Sequence, residues 1–208
     1  MTLTCEELLQ KHPQAWKEAT VHSFLEQCKL GTIKEEQFNT WLVQDYLFVV
    51  EFTRMVARVL TAAPVRDFDV ILGGLSALKD ELNWFREKAA ERNLDFLDAH
   101  RQETCMEYCT YLYSLNGMPY ALQATALWAI EYAYNQGWQL PGEMPAPYQE
   151  FAQRWGNPGF TEYVKLLAKQ ADMALEMSSE NIQHQAEQVF LNVARLEKDF
   201  WQMAFNAG

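Results

Sequence analysis

The sequence predicts an all-α protein, folded as a single-domain helical bundle over residues 1–208. Apolar residues recur at helical spacing through nearly the whole chain, and strand-like alternation is absent. The breaks between periodic segments are short and carry turn chemistry, with no Pro/Gly/Ser-rich linker that would separate two domains. No internal repeat or low-complexity tract interrupts the pattern. A chain of 208 residues, 49% hydrophobic and 13% aromatic, can fill one sizeable core.

The elements follow in order. A first periodic segment covers about 4–29 and stops at Leu30-Gly31-Thr32. A second covers about 34–62, where Thr32 with Glu35 has the capping-box pattern at its start and Ala63-Pro64 closes it. The third covers about 67–92 and the fourth about 96–115, the latter ended by Asn116-Gly117-Met118-Pro119. The fifth covers about 119–139 and runs out at Pro141-Gly142, with Pro145 and Pro147 beyond. Three more segments complete the chain, at about 145–155, 158–177 and 179–205.

Three carboxylates stand against this pattern. Between Phe38 and Val56, the positions Phe38, Trp41, Leu42, Phe48, Val49, Phe52 and Val56 keep helical spacing, and Asp45 falls on the same stripe. Glu131 sits likewise among Leu127, Trp128, Tyr134 and Trp138, and Glu197 among Phe190, Val193, Phe200, Trp201 and Ala204. An unpaired ionised carboxylate inside a core is costly or becomes neutral. One alone can reach solvent at a helix end, or pair with an arginine such as Arg54, Arg58 or Arg195. Three together, each flanked by aromatics, point to a shared polar pocket lined by rings. Glu81, beside Leu78, Leu82 and Phe85, is a weaker candidate because it can equally face water.

Composition excludes several function classes. A net charge of −11, with no run among the 17 Lys and Arg residues, argues against nucleic acid as the main partner. No apolar stretch approaches the roughly 18–20 residues of a membrane span, so no membrane partner is expected. The start MTLTCEELLQK lacks a signal pattern, and a cytoplasmic protein is expected. Cys5, Cys28, Cys105 and Cys109 form neither a disulfide framework nor a CxxC motif, in keeping with a reducing compartment. Cys105 and Cys109, one helical turn apart, read first as two packed small residues.

A di-iron bundle needs Glu-x-x-His pairs, and there is none. Glu18/His22 and Glu180/His184 are spaced i,i+4, but none of the four histidines neighbours Asp45, Glu131 or Glu197 in sequence. His22 could in principle ligate haem, although a packed or helix-terminal histidine accounts for it more simply. The expectation is no metal and no cofactor. Gly-rich phosphate loops, GxSxG and HExxH are all missing, so nucleotide binding, serine hydrolysis and zinc proteolysis have no support.

The run ATVHSFLEQCKLGTIKEEQFNTWLVQDYLFVVEFTRMVARVL strongly resembles the TenA-like proteins of thiamin metabolism. The resemblance continues through LKDELNWF, YCTYLYSL, ALWAIEYAYNQGW, FAQRWGNPGFTEYV and ARLEKDFWQMAF, with QDYLF, ALWAIE and RLEKDFW its most specific pieces. It implies the haem-oxygenase-like fold without haem. It also implies an aminopyrimidine aminohydrolase activity, called thiaminase II in the branch that uses a cysteine nucleophile. Here Ala129 occupies that cysteine's place, two residues before Glu131, so the chain is similar to the branch that lacks it. The resemblance assigns Asp45 to holding the aminopyrimidine ring through its ring nitrogen and exocyclic amine. It gives Glu197 a proton exchange with the leaving group, places Phe48, Tyr108 and Trp155 around the ring, and makes Glu131 the branch's own carboxylate.

The chemistry fits these residue types. A planar aminopyrimidine suits an aromatic slot with one carboxylate at its edge, because amine and protonated ring nitrogen present two parallel donors. Glu131 and Glu197 could supply acid and base, and water activated by one of them is the natural nucleophile, with Cys109 as a possible substitute. The expected role is salvage of thiamin breakdown products, aminomethyl- and formylaminomethyl-pyrimidines, by a homo-oligomer, dimer or tetramer. Two other classes stay open: a haem-oxygenase-like metal-dependent oxidase, and a non-catalytic pyrimidine-binding or regulatory protein.

Overall fold

A computed structural model of the chain describes residues 2–96 and 98–208. Among them the regular structure is entirely helical, as predicted. The helices are α1 (Cys5–Lys11), α2 (Pro13–Thr20), α3 (Ser23–Leu30), α4 (Glu35–Ala62), α5 (Phe68–Glu91), α6 (Glu103–Ser114), α7 (Tyr120–Gln139), α8 (Ala146–Gly156), α9 (Pro158–Glu176) and α10 (Glu180–Phe205). A 3-10 turn, Val65–Asp67, precedes α5.

The segment read as one helix over 4–29 is three. Pro13 has no N–H to donate and can only open a helix, so α1 ends at His12 and α2 starts at Pro13. The chain is extended again at Val21 and His22, where the His22 ring caps α3 by accepting from the Phe24 N–H at 3.1 Å.

The expected Thr32–Glu35 capping box does not form. Gly31 closes α3 in the left-handed conformation, φ 69°, and the Thr32 and Ile33 N–H groups both donate to the Gln27 carbonyl, at 2.9 and 3.2 Å. The residues meant to open α4 are thus used in ending α3, and the Gln37 side chain closes α4's first turn by accepting from the Lys34 N–H at 3.2 Å. A capping box does form, at Thr4 and Glu7. The fourth segment begins at Glu103 rather than near 96, and its residue 97 lies outside the described residues.

The helices sort into two compact units. In the first, which takes in the chain up to Ile33 and Met118–Gln202, α7 packs against α9, α8 and α2. Sixteen of its 20 residues are buried, so α7 is a core helix on all sides rather than an amphipathic surface helix. Small residues make that possible: a Cβ on Gly137 would stand 3.3 Å from Leu25 Cδ1 and 3.6 Å from Trp201 Cζ2. In the second unit, Lys34–Gly117 with Met203–Gly208, α4 packs against both α5 and α6. Its stripe of Phe38, Trp41, Leu42, Asp45, Phe48, Val49, Phe52 and Val56 is buried throughout, as the spacing predicts.

Candidate active site

Asp45, Phe48 and Tyr108 belong to the second unit. Asp45 is completely buried on α4, and one turn on, Phe48 meets Tyr108 of α6 with ring centroids 4.6 Å apart at 44°. Phe52 extends this wall, stacking on Phe48 at 5.7 Å. The α6 register that brings Tyr108 to Phe48 is held by Gln44, the residue before Asp45. Its buried amide donates to the His100 carbonyl at 3.0 Å and accepts from the Gln102 N–H at 2.8 Å. Gln102 is the N-cap of α6, so one side chain on α4 fixes where α6 begins. Further along, Arg101 donates to Glu51 at 3.0 Å.

Cys105 and Cys109 are buried on the same face of α6. The Cys105 thiol approaches the Gln44 carbonyl at 3.5 Å. Its hydrogen bond with Cys109 and its burial push Cys105 well above the ordinary thiol range. The same hydrogen bond, with Arg101 nearby, lowers Cys109.

Glu131, Trp155 and Glu197 belong to the first unit. Glu131 on α7 is 7% exposed and Glu197 on α10 only 1%. Tyr163 of α9 donates its phenol to Glu131 Oε1 at 3.3 Å. Tyr134, on the next turn of α7, stacks on Trp201 at 5.5 Å and meets Trp155 edge-on at 5.6 Å. Trp155 also stacks on Trp138 at 5.5 Å, and its carbonyl accepts from Asn135 Nδ2 at 2.7 Å. Trp201 is anchored by its indole N–H, which donates to the Ala19 carbonyl at 3.1 Å.

All six residues singled out by sequence are therefore buried. Phe48 is brought onto Tyr108, and Trp155 into the ring cluster that α7 and α10 share. Gln44, Asn135 and Tyr163 are given no role in the sequence reading, and Tyr134 enters it only as a residue of the stripe that carries Glu131. Gln44 could have been noticed, since it stands inside the QDYLF motif; nothing in the spacing marks Tyr163, whose partner is 32 residues away. Ala129 is buried with no exposed surface. Among the described residues, no group of three or more His, Cys, Asp or Glu side chains is arranged to hold a metal ion. No helix among them is long and apolar enough to cross a membrane.

The TENA/THI-4/PQQC family pattern matches residues 9–207. The chain belongs to this family. It is 35% identical to a probable bifunctional TENA-E protein of Glycine max, over 96% of this chain and 92% of that one. An aminopyrimidine aminohydrolase of Halalkalibacterium halodurans is 25% identical, over 96% of this chain and 94% of that enzyme. The solved structure of a TenA homologue from Pyrococcus furiosus superposes with a TM-score of 0.91 at 30% identity, covering 96% of this chain and 98% of that one. The all-α architecture is thus the TenA fold.

Proposed function

We propose that the chain is a thiamin-salvage hydrolase acting on C–N bonds of aminopyrimidines. Its reactions would convert an aminomethylpyrimidine and water to the hydroxymethylpyrimidine and ammonia, or a formylaminomethylpyrimidine and water to the aminomethylpyrimidine and formate. The observation that carries the proposal is the burial of three carboxylates on ring-lined helix faces, in a family that includes an aminopyrimidine aminohydrolase.

Asp45 holds the ring edge by accepting from its amine and protonated nitrogen, and Phe48, Tyr108 and Trp155 contribute ring surfaces. Glu131 and Glu197 divide the proton transfers, one activating water and the other protonating the departing nitrogen. Ala129 offers no nucleophile where the other branch has cysteine, which favours breakdown products over intact thiamin as substrates.

The test is release of ammonia or formate from the two pyrimidines, compared with cleavage of thiamin. Turnover should be unaffected by chelators. Tight pyrimidine binding without turnover of either amine would leave a binding protein, and activity lost on chelation, with stoichiometric iron, would leave an oxidase.

One observation favours a second nucleophile. Cys109 is lowered by its hydrogen bond with Cys105, and it follows Tyr108 directly. Thiol alkylation decides between the two, since water-based hydrolysis tolerates it and a cysteine mechanism does not.

A further inference from the structure

Glu131 and Glu197 carry the same functional group, and nothing in their residue type says which gives a proton and which takes one. The surroundings of Glu131 do. On α9, Asn157 caps the first turn by accepting from the Phe160 N–H at 2.9 Å. Thr161 then exchanges hydrogen bonds with Asn135 of α7, at 3.1 and 3.2 Å, which fixes the register of the two helices. Two residues beyond Thr161, and one turn before Asn135, Tyr163 and Glu131 come into hydrogen-bond contact at 3.3 Å. A phenol keeps its proton at neutral pH, so here it donates and the carboxylate accepts. A donor aimed at a carboxylate favours its ionised form.

We propose that Tyr163 is a positioning residue that holds Glu131 ionised, making Glu131 the base that activates water and leaving Glu197 to protonate the leaving nitrogen. The assignment of roles rests on the hydrolase reading above; the hydrogen bond does not. Most other ionisable groups on the helices packed against α7 are at the surface or have partners of their own: Lys169 and Glu176 of α9 are exposed, Glu18 of α2 pairs with Lys198, and Asp172 of α9 accepts from the Cys5 N–H. Lys17 of α2 and Glu150 of α8 are exposed, Glu162 and Lys165 of α9 pair with each other at the surface, and Arg154 of α8 is half-buried.

The test is Tyr163→Phe, which keeps the ring and removes the donor. In the aminopyrimidine assay kcat should fall about tenfold, the effect of losing a hydrogen bond to a charged group, with KM within about twofold. The acidic limb of the pH–rate profile should move to higher pH, because Glu131 then ionises less readily. In the Glu131→Gln background the same substitution should have little further effect.

Carbon-13 NMR titration of the Glu131 carboxyl, without substrate, reads the hydrogen bond directly and should show the same upward move in Tyr163→Phe. A folded Tyr163→Phe protein whose Glu131 titrates as in the wild type overturns the proposal, as does an acidic limb that stays in place. If the wild-type chain turns over neither pyrimidine while the NMR titration still moves, the hydrolase reading fails and the Tyr163–Glu131 link stands.

Discussion

Asp45 shares α4 with a wall of rings and with Gln44, which ties α4 to α6, whereas Glu131 meets a phenol on a helix pair joined by an amide–hydroxyl relay. The first environment fixes shape: Gln44 sets where α6 starts, and α6 then sets Tyr108 against Phe48. In the second, Tyr163 reaches the carboxylate itself, the contact through which we propose its protonation is set. A group that only has to accept from a ring needs a rigid slot, while a group that must change its proton during turnover needs a neighbour that biases it.

The comparison breaks most sharply at the two glutamates. Glu131→Gln and Glu197→Gln should each cut turnover by about 10²-fold or more, leaving pyrimidine affinity largely intact. The wild-type pH–rate profile should be bell-shaped, since one carboxyl group has to be ionised while the other holds a proton. Turnover within a few-fold of wild type in either variant would remove the distinction between the clusters.

Asp45→Asn tests the other side. It keeps shape but turns one acceptor into a donor facing donors, so ring binding should weaken by about 1–3 kcal/mol in calorimetry. Affinity equal to wild type would take Asp45 out of the site.

Gln44→Leu asks whether the slot depends on its glutamine. The His100 carbonyl and Gln102 N–H lose their partner, and the denaturation midpoint should drop by the equivalent of about 1–3 kcal/mol. Ring binding should weaken with it, while the pH profile of turnover keeps its shape. A changed profile would mean that Gln44 belongs to the proton chemistry.

The smallest effect concerns His22, which burial pushes below its ordinary value of 6.5. The unfolded chain takes up a proton at a pH where the folded ring is still neutral, so stability falls as pH drops through 6.5 and goes on falling until the folded ring protonates. His22→Asn keeps an acceptor for the Phe24 N–H and should flatten that acid dependence. Melting curves between about pH 7 and pH 5 check it, and an unchanged slope would assign the loss to other groups.

Much of this was legible in the chain, for reasons that differ by residue. Asp45, Glu131 and Glu197 could be found because a carboxylate on an apolar stripe violates a local pattern, and a violated pattern is visible without coordinates. Tyr163 violates nothing: tyrosine on a half-buried helix is ordinary, and its meaning comes from the register that Asn135 and Thr161 impose. The helix boundaries divide in the same way. Ala63-Pro64 and Gly31 act locally and were read correctly, but the Thr32–Glu35 pattern competed with the closure of α3 on the Gln27 carbonyl, a choice settled by backbone geometry. Over 4–29 the apolar period continues across Pro13 and His22, which hid two breaks that the proline alone could have disclosed in part.

The ring cluster of the first unit has an optical consequence. Trp16 of α2 lies 6.3 Å from Trp128 of α7 with planes only 3° apart, and Tyr132 and Phe190 stack on the same pair. Two indoles held nearly parallel at that separation couple their electronic transitions, which gives near-ultraviolet circular dichroism a signal that neither ring has alone. That signal is lost once α2 separates from α7, whether or not the helices themselves have unwound. The short N-terminal helices, invisible as separate elements in the sequence, thus come with a built-in spectroscopic reporter of their own docking.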